Sequence, residues 1–342
     1  MRAAVFYGPH DVRLEERDVP SLGVDDVLIG PEYVGICGSD IEAFNNGGYA
    51  EGTVIGHEFV GTVKRVGSNV STVKEGDYVT ASAVWPCGIC ASCRIGRPSL
   101  CKDLIEVGIH SDGAMADFIR APSPMVYKLP KTIDPPVGPL IDPLSNIVHA
   151  VRISTFKSGA SVAVVGCGPI GLLLINFLKL SGASKIVGYE TSPGRLQLAS
   201  KLGADATVNP LEQNPGSLAD SLTGGSGFDV VFVAAGAGKA AEMAYDLVGQ
   251  GGEIIIVGIV EQVASADYLR MVLSELSVRG SYLGFNEYPA AIDLMGRQMI
   301  KGDSIVTLKV EGIERMIKDV FPRIAEPNIS EGKVVVRVQG GK

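Results

Sequence analysis

Four of the six cysteines lie in one short segment that contains glycine, at Cys87, Cys90, Cys93 and Cys101. Zinc favours four thiolates in a tetrahedron, and the C-x2-C spacing lets a tight loop present successive sulfurs to one ion. The alternative interpretations are disulfides, which the lack of a secretory signal disfavours, and ordinary buried thiols. A closed four-cysteine site has no open coordination position, so the spacing predicts a structural zinc that holds a loop and does no chemistry.

A second set of metal-binding side chains is dispersed, with Cys37 in Gly-Ile-Cys-Gly-Ser-Asp and His57 in Gly-His-Glu. A catalytic zinc needs about three protein ligands and an exchangeable water. Asp142 is our first candidate for the third ligand, since a carboxylate inside an apolar run needs a partner. Its alternative role is a helix N-cap, because proline follows it. Glu58 is the other candidate, either as a ligand or as a group that supports the ligands.

A glycine-rich turn follows the apolar segment Ser161–Val165 and opens a predicted helix. In this strand–turn–helix context G-x-G-x-x-G indicates a dinucleotide site, where the glycines allow pyrophosphate to approach the helix N-terminus. The predicted cofactor-binding residues of the turn are Gly166, Gly168, Pro169, Ile170 and Gly171. A glycine-rich turn without a ligand is the alternative.

An acidic residue, Glu190, ends the next predicted strand. There it would accept hydrogen bonds from the adenosine ribose and repel a 2′-phosphate, which favours NAD over NADP. Arg195 complicates this prediction, because its guanidinium could turn toward such a phosphate.

Composition limits the class of protein. The chain has 342 residues and a formal net charge of −8, and no Lys/Arg cluster suggests nucleic-acid binding. Its longest apolar run, Ile170–Leu178, is shorter than the roughly 20 residues of a membrane span. The start, MRAAVFYG, lacks the apolar stretch of a signal peptide. We therefore expect a cytoplasmic protein without membrane or nucleic-acid partners. A homo-oligomer, either a tetramer or a dimer, is a separate expectation that composition does not supply.

The pattern of predicted elements changes near residue 150. Short β-rich segments separated by turns precede this point, and buried strands alternate with helices after it. Repeated β–α units predict a parallel, doubly wound sheet in an α/β protein. The tail includes another predicted strand, Lys333–Val338, which we expect to rejoin the first domain.

These motifs together resemble the zinc-containing medium-chain dehydrogenases, which include alcohol, sorbitol, threonine and sugar dehydrogenases. The pattern Gly56-His57-Glu58-x2-Gly61-x5-Gly67-x2-Val70 matches the zinc motif of that family, and the four-cysteine spacing matches its structural-zinc lobe. The resemblance implies a GroES-like β-barrel catalytic domain with the zinc lobe over residues 1–150. It also implies a Rossmann NAD-binding domain over 151–285 and a C-terminal segment, 286–342, that returns to the catalytic domain.

The function implied by the resemblance is hydride transfer between an alcohol carbon and NAD(H), with two zinc ions per chain, one catalytic and one structural. The catalytic zinc would lower the pKa of the substrate hydroxyl. Ser39, two residues after Cys37, would relay the hydroxyl proton outward, although a turn or N-cap hydroxyl is the alternative. Many relatives end that relay with a histidine five residues after the ligand cysteine, where this chain has Glu42, as some sugar-oxidising members of the family do.

Substrate choice depends on fewer residues. Sorbitol dehydrogenases carry an arginine before an Asn-Thr-Trp-Pro segment, whereas this chain has Leu283 before Asn286-Glu-Tyr-Pro289. With apolar candidates at Val84, Trp85 and Ile109, this substitution favours a secondary alcohol or diol. Trp85 has packing as its alternative role. A sugar, polyol or threonine dehydrogenase is the alternative activity, and a non-catalytic nucleotide-binding zinc protein is the alternative from another class.

Overall fold

Two sheets organise the chain, and the C-terminal residues join the sheet formed by the N-terminal ones. The structure is a computed structural model that describes residues 1–260, 264–326 and 329–338. The six-stranded parallel sheet described below confirms the predicted α/β class.

The N-terminal region is largely β-structure. Its strands are β1 (Arg2–Gly8), β2 (Asp11–Glu16), β3 (Asp26–Gly35), β4 (Glu58–Val66), β5 (Tyr78–Ala81), β6 (Val84–Trp85), β7 (Ile105–Glu106), β8 (Ile119–Pro122) and β9 (Val126–Lys128). β1 pairs with β2, and β6 pairs with β7. The central strand β3 pairs antiparallel with β4 and with β8.

The second sheet contains six parallel strands. They are β10 (Ser161–Val165), β11 (Lys185–Tyr189), β12 (Ala206–Val208), β13 (Phe228–Val233), β14 (Val248–Ile256) and β15 (Ser277–Gly280). Their spatial order is β12-β11-β10-β13-β14-β15, which is the doubly wound Rossmann order. The order reverses between β10 and β13, so a crevice opens beyond the carboxyl ends of these two strands.

Two C-terminal strands complete the first sheet. β16 (Val306–Glu311) pairs parallel with β17 (Lys333–Arg337), and β17 pairs antiparallel with the end of β3. The pairing of β17 with β3 brings Lys333 beside the end of β3.

Helices connect and cover the strands. They are α1 (Gly38–Asn46), α2 (Ala91–Arg94), α3 (Ile141–Ile153), α4 (Pro169–Leu180), α5 (Pro193–Leu202), α6 (Pro215–Thr223), α7 (Gly238–Leu247), α8 (Tyr268–Leu273), α9 (Tyr288–Gly296), α10 (Gly302–Ile305), α11 (Ile313–Arg315) and α12 (Phe321–Ile324). Short 3-10 turns cover Pro98–Leu100, Ser123–Met125 and Pro135–Leu140, and a π turn covers Met316–Val320.

The alternative role of Asp142 as an N-cap is wrong. The turn Pro135–Leu140 runs directly into α3, so Leu140 occupies the cap position and Asp142 lies within the first helical turn. Proline at the next position is compatible with this placement, because the first-turn N–H groups have no intrahelical acceptor.

The two units share one continuous core. Buried residues of the first sheet, such as Val60, pack against α3, and α3 packs through α4 onto Rossmann strands at residues such as Val164 and Phe232. α3 is therefore buried on most of its surface, and its first turn is fixed between the two sheets. Within the described ranges, no helix has the length and apolarity needed to cross a membrane.

Candidate metal centres and cofactor cleft

The sulfurs of Cys87, Cys90, Cys93 and Cys101 lie within 4.8 Å of one another. α2 places Cys93, the residue before α2 is Cys90, and the turn Pro98–Leu100 brings Cys101 back to them. The sulfur of Cys90 is 3.5 Å from that of Cys93 and 3.8 Å from that of Cys101. Four sulfurs about 2.3 Å from a zinc ion would be separated by about 3.8 Å, so the cluster fits the ion.

Backbone groups in this lobe favour a thiolate at Cys90, whereas burial and the neighbouring sulfurs raise the pKa of Cys93. N–H groups of Cys93 and Lys102 hold the pKa of the Cys90 thiol below its ordinary value. The Cys87 N–H donates to the Cys101 sulfur at 3.3 Å. All four cysteines are free thiols, and the disulfide interpretation therefore has no support in this geometry.

A second group comprises Cys37, His57 and Glu58, whose ligand atoms also lie within 4.8 Å of one another. Cys37 follows the end of β3, and the two other residues stand at the start of β4, whose first residue pairs with Gly35. The register of two neighbouring strands therefore brings together residues that are separated by about 20 positions in sequence. Asp142 is not a member of this group.

The electrostatics of this group suit a cation. Burial opposes charge on His57, but the neighbouring Cys37 holds the imidazole pKa well above its ordinary value. The Nδ1 atom of His57 is buried and has no hydrogen-bond partner among the described residues. A buried polar atom without a partner is costly, and a metal ion would satisfy it. Thiolate, imidazole and carboxylate are the donors that zinc takes in proteins, so the residues present fit this ion.

A buried ion pair adjoins the group. The Lys333 ammonium pairs with the Glu58 carboxylate, and the two residues are 1% and 2% exposed. Space for this pair comes from Gly35, where an added Cβ would lie 2.4 Å from Glu58 Oε2 and 2.8 Å from Lys333 Cε. Because an unpaired charge at this depth is strongly unfavourable, each residue depends on the other.

Asp142 lies at the edge of the same region with partners of its own. Its Oδ1 accepts a hydrogen bond from the Tyr288 hydroxyl, and the Ala83 N–H donates to that hydroxyl oxygen at 2.9 Å. Burial raises the pKa of the Asp142 carboxyl, and the nearby Glu58 adds to this effect. His149, on the same helix, pairs with Glu287 at 3.4 Å.

Ser39 lies in the first turn of α1, beside Cys37. Burial raises the pKa of the Tyr49 phenol and the nearby Ser39 side chain lowers it, and the Tyr49 hydroxyl donates to buried Asp40 at 3.2 Å. Asp40 in turn accepts from the Cys37 N–H at 2.9 Å. Glu42 accepts instead from Asn46 on the exposed side of α1. A polar chain thus runs from Ser39 to Tyr49, not to Glu42.

A cleft of about 360 Å³ separates the two units at the carboxyl ends of β10 and β13. Among the predicted turn residues, Gly166, Gly168 and Pro169 line the cleft. Gly166 has a φ of +93°, and a Cβ on Gly171 would lie 1.9 Å from the Gly166 carbonyl oxygen. Gly166 and Gly171 are therefore required by the turn itself. Ile170 belongs to the first turn of α4.

Glu190 and Arg195 line the same cleft. The Oε1 atom of Glu190 accepts from the N–H groups of Thr191 and Ser192, and its Oε2 accepts from the Cys167 N–H at 2.9 Å. A carboxylate oxygen can accept two hydrogen bonds, so Oε2 retains capacity for a ribose hydroxyl. Arg195 donates from Nε to the Glu331 carbonyl at 2.9 Å.

Sequence reasoning missed three side chains near the second metal group: Lys333, Tyr49 and Tyr288. Lys333 was recognised only as part of a returning strand, and Tyr288 only as part of a substrate motif. The contacts of Lys333 with Glu58 and of Tyr288 with Asp142 join residues more than 100 positions apart in sequence. Tyr49 and its partner Asp40 are only nine positions apart. One signal was available for Lys333, because a lysine opening an otherwise apolar strand is unusual.

The predicted substrate-site residues have mixed surroundings. Val84 is buried, and Trp85 packs on the catalytic-domain core while its Nε1 donates to the Ser82 carbonyl at 3.1 Å. Ile109 is half-buried. Leu283 is half-buried too, and it adopts a left-handed backbone with a φ of +53°. Packing therefore accounts for much of the environment of Trp85.

Comparison with known proteins supports the same architecture. Residues 23–131 match the family model of the alcohol dehydrogenase GroES-like domain, and residues 169–297 match that of zinc-binding dehydrogenase. L-threonine 3-dehydrogenase of Bacillus velezensis is 35% identical over 78% of this chain and 79% of its own. D-xylulose reductase A of Aspergillus niger is 32% identical over 92% of both chains.

Solved structures are similar along nearly the whole chain. 2R,3R-butanediol dehydrogenase from Bacillus subtilis has a TM-score of 0.90 and 30% identity, covering 98% of this chain and 99% of its own. A zinc-binding dehydrogenase from Sinorhizobium meliloti, bound to NADP, has a TM-score of 0.90 and 28% identity, covering 98% of each chain. The chain belongs to the zinc-dependent medium-chain dehydrogenase family and is an oxidoreductase.

Proposed function

We propose that this protein is a zinc-dependent dehydrogenase that transfers hydride between the secondary alcohol carbon of a small alcohol or diol and NAD(H). One observation carries the proposal. Ile36 and Gly38, the two neighbours of Cys37, line the same cleft as Gly166 and Gly168. The metal group and the dinucleotide turn thus face one space, as hydride transfer requires. A non-catalytic nucleotide-binding zinc protein would have no need of this arrangement.

In this proposal each group has a distinct part. Cys37, His57 and Glu58 would hold a zinc ion, which would supply Lewis-acid polarisation of the substrate hydroxyl, and bound NAD would be the hydride acceptor. Ser39 would take the hydroxyl proton and pass its own to the neighbouring Tyr49 hydroxyl, whose proton would move along its hydrogen bond to Asp40. Gly166, Gly168, Pro169, Ile170 and Gly171 hold the pyrophosphate, while Glu190 binds the ribose.

The division of the chain is part of the proposal: residues 1–150 for the catalytic domain, 151–285 for the cofactor domain and 286–342 for the returning segment. The strand β17 and the contacts of Lys333 support the role of the last segment. We also propose a cytoplasmic location, since an enzyme with so many free thiols suits a reducing compartment.

The choice of substrate depends on whether the pocket offers hydrogen-bond partners for several hydroxyl groups. Burying the hydroxyls of a sugar against Val84 and Leu283 without hydrogen bonds would cost about 1–3 kcal/mol each. The carboxylate of Glu42, which could have offset this cost, is engaged by Asn46. The apolar interpretation therefore favours a simple secondary alcohol or diol over a polyol or threonine.

A panel of secondary alcohols, diols, polyols, sugars and amino alcohols, scored by NADH formation, tests this choice. We expect the highest kcat/KM with a diol or a short secondary alcohol. Leu283→Arg should lower that value, because a charged side chain would enter the apolar pocket, and it should introduce weak sorbitol turnover. Preferred turnover of threonine, sorbitol or xylitol by the wild type would contradict the apolar-pocket argument.

The two-metal proposal predicts two zinc ions per chain by elemental analysis. Cys37→Ala should remove one ion and abolish activity while the melting temperature changes little. Cys93→Ala should remove the other ion and lower the melting temperature, because a structural zinc stabilises its loop. Cys167→Ala is the matched control, since this sixth cysteine is buried beside the Tyr189 carbonyl and should retain both ions. A fully active wild type with one zinc would exclude the model.

The cofactor proposal predicts that kcat/KM with NAD exceeds that with NADP by about tenfold or more, because Glu190 repels a 2′-phosphate. Glu190→Gln should reduce this ratio toward unity, whereas exposed Glu212→Gln, in the same domain, should leave it unchanged. The NADP bound to the Sinorhizobium meliloti relative makes the comparison necessary. A wild-type preference for NADP would mean that Arg195, not Glu190, determines the selectivity.

We also propose that the chain forms a homo-oligomer through the outer edge of the Rossmann sheet. Every residue of β15 is exposed, and Tyr268, Leu269, Val272 and Leu273 of α8 are each more than 70% exposed. An edge strand beside an apolar helix face is a strong pairing surface, and antiparallel pairing with a second copy would cover both.

Sedimentation velocity tests this assembly. The wild type should sediment as a dimer or a tetramer, and Leu273→Glu combined with Val278→Lys should lower the association state. Leu211→Glu, equally exposed but in a loop distant from β15, is the control and should have no effect. A monomeric wild type, or an unchanged state in the double variant, would exclude this surface.

A further inference from the structure

The carboxylates of Glu58 and Asp142 both interact electrostatically with His57, but they have different partners. Glu58 is in the three-residue metal group and pairs with Lys333, whereas Asp142 is outside the group and pairs with Tyr288. Either carboxylate could complete the donor set that zinc prefers, so something must determine which one does.

The Tyr288 hydroxyl has one proton, and the geometry fixes where that proton points. The Ala83 N–H can only donate, so the hydroxyl oxygen accepts from it at 2.9 Å. The Tyr288 hydroxyl therefore donates its hydrogen bond to Asp142 Oδ1. The hydroxyl therefore joins a loop of the first sheet to the first turn of α3, with the Asp142 carboxylate as the acceptor.

The ring that carries this hydroxyl is immobilised. Tyr288 is 2% exposed and stacks on Tyr127, with ring centroids 5.3 Å apart and planes 13° apart. The preceding residue, Glu287, pairs with His149 at 3.4 Å and with Arg152 at 3.3 Å, and both of these belong to α3.

A further contact ties the same segment to the same helix. The Gly284 N–H donates to Asn146 Oδ1 at 2.6 Å, and a Cβ on Gly284 would lie 2.1 Å from the Ser145 carbonyl oxygen. The segment 284–288 is therefore fixed to α3 at several successive points. Tyr288 cannot follow Asp142 if that side chain turns toward the metal group, and such a turn would break the hydrogen bond.

We propose that Tyr288 is a positioning residue that holds the Asp142 carboxylate outside the metal coordination sphere, which makes Glu58 the third ligand. This inference rests on the proposed catalytic zinc site. Loss of the tyrosine hydroxyl frees Asp142 to enter the metal group, so the ligand set, and not only the stability, depends on this hydroxyl.

Cobalt(II) is the probe, because its visible absorption reports the ligand set of a metal site directly. We would load the full-length protein with Co²⁺ and identify the band of the catalytic site by its absence in Cys37→Ala. Asp142→Asn should leave this band in place, since an amide oxygen still accepts from Tyr288 and no ligand is lost. Glu58→Gln should shift the band or abolish it.

The decisive variants are Tyr288→Phe and its combination with Asp142→Asn. Tyr288→Phe should shift the cobalt band, and adding Asp142→Asn should restore the wild-type band, which a purely structural role for the tyrosine would not produce. Tyr127→Phe removes a hydroxyl from the same aromatic stack without touching Asp142, and it should leave the band unchanged.

Three outcomes would overturn the inference. A band shift in Asp142→Asn alone would make Asp142 a ligand already. An unchanged band in folded Tyr288→Phe would show that the hydroxyl does not determine the ligand set. If that variant does not fold, Asp142→Asn and Glu58→Gln still show which carboxylate binds the metal. A cobalt spectrum that Cys37→Ala does not alter would remove the catalytic site itself, and the proposed function would fail together with the inference.

Discussion

The buried pair of Lys333 and Glu58 is the interaction on which the candidate active site depends. Gly35 ends β3, Glu58 opens β4 and Lys333 opens β17, and strand register brings the three together. Any side chain at Gly35 would collide with the pair. Since one partner left alone would be a buried uncompensated charge, the C-terminal strand must be in place for the metal group to form. Strand β17 thus completes the first sheet beside the metal group.

The same junction explains how two domains make one site. Cys37 follows β3 and opens α1, and its neighbours Ile36 and Gly38 face the cleft below the glycine-rich turn. Segment 329–334 lines the cleft from the other side, and Glu331 in this segment accepts from Arg195 of the cofactor domain. A dinucleotide in the cleft would therefore contact both domains, so its binding is expected to couple to their relative position.

Local patterns predicted the parts of the molecule that are local in sequence. The cysteine lobe spans 15 residues, and the turn after β10 spans six, so spacing alone was informative. The requirement for glycine at Gly166 and Gly171 could also be predicted from the sequence, because both residues serve the turn itself. The third metal ligand was less accessible: Asp142 and Glu58 both looked suitable, and the contacts that distinguish them come from Tyr288 and Lys333, far along the chain. Sequence spacing carries no information on such pairings.

Anomalous diffraction at the zinc absorption edge, from crystals of the zinc-loaded protein, tests the central claim most directly. The account predicts two peaks per chain: one about 2.3 Å from the four lobe sulfurs, the other bound by Cys37, His57 and Glu58, with Lys333 still beside Glu58 and Asp142 still on Tyr288. A single peak in the lobe, or a second ion that takes Asp142 in place of Glu58, would contradict it.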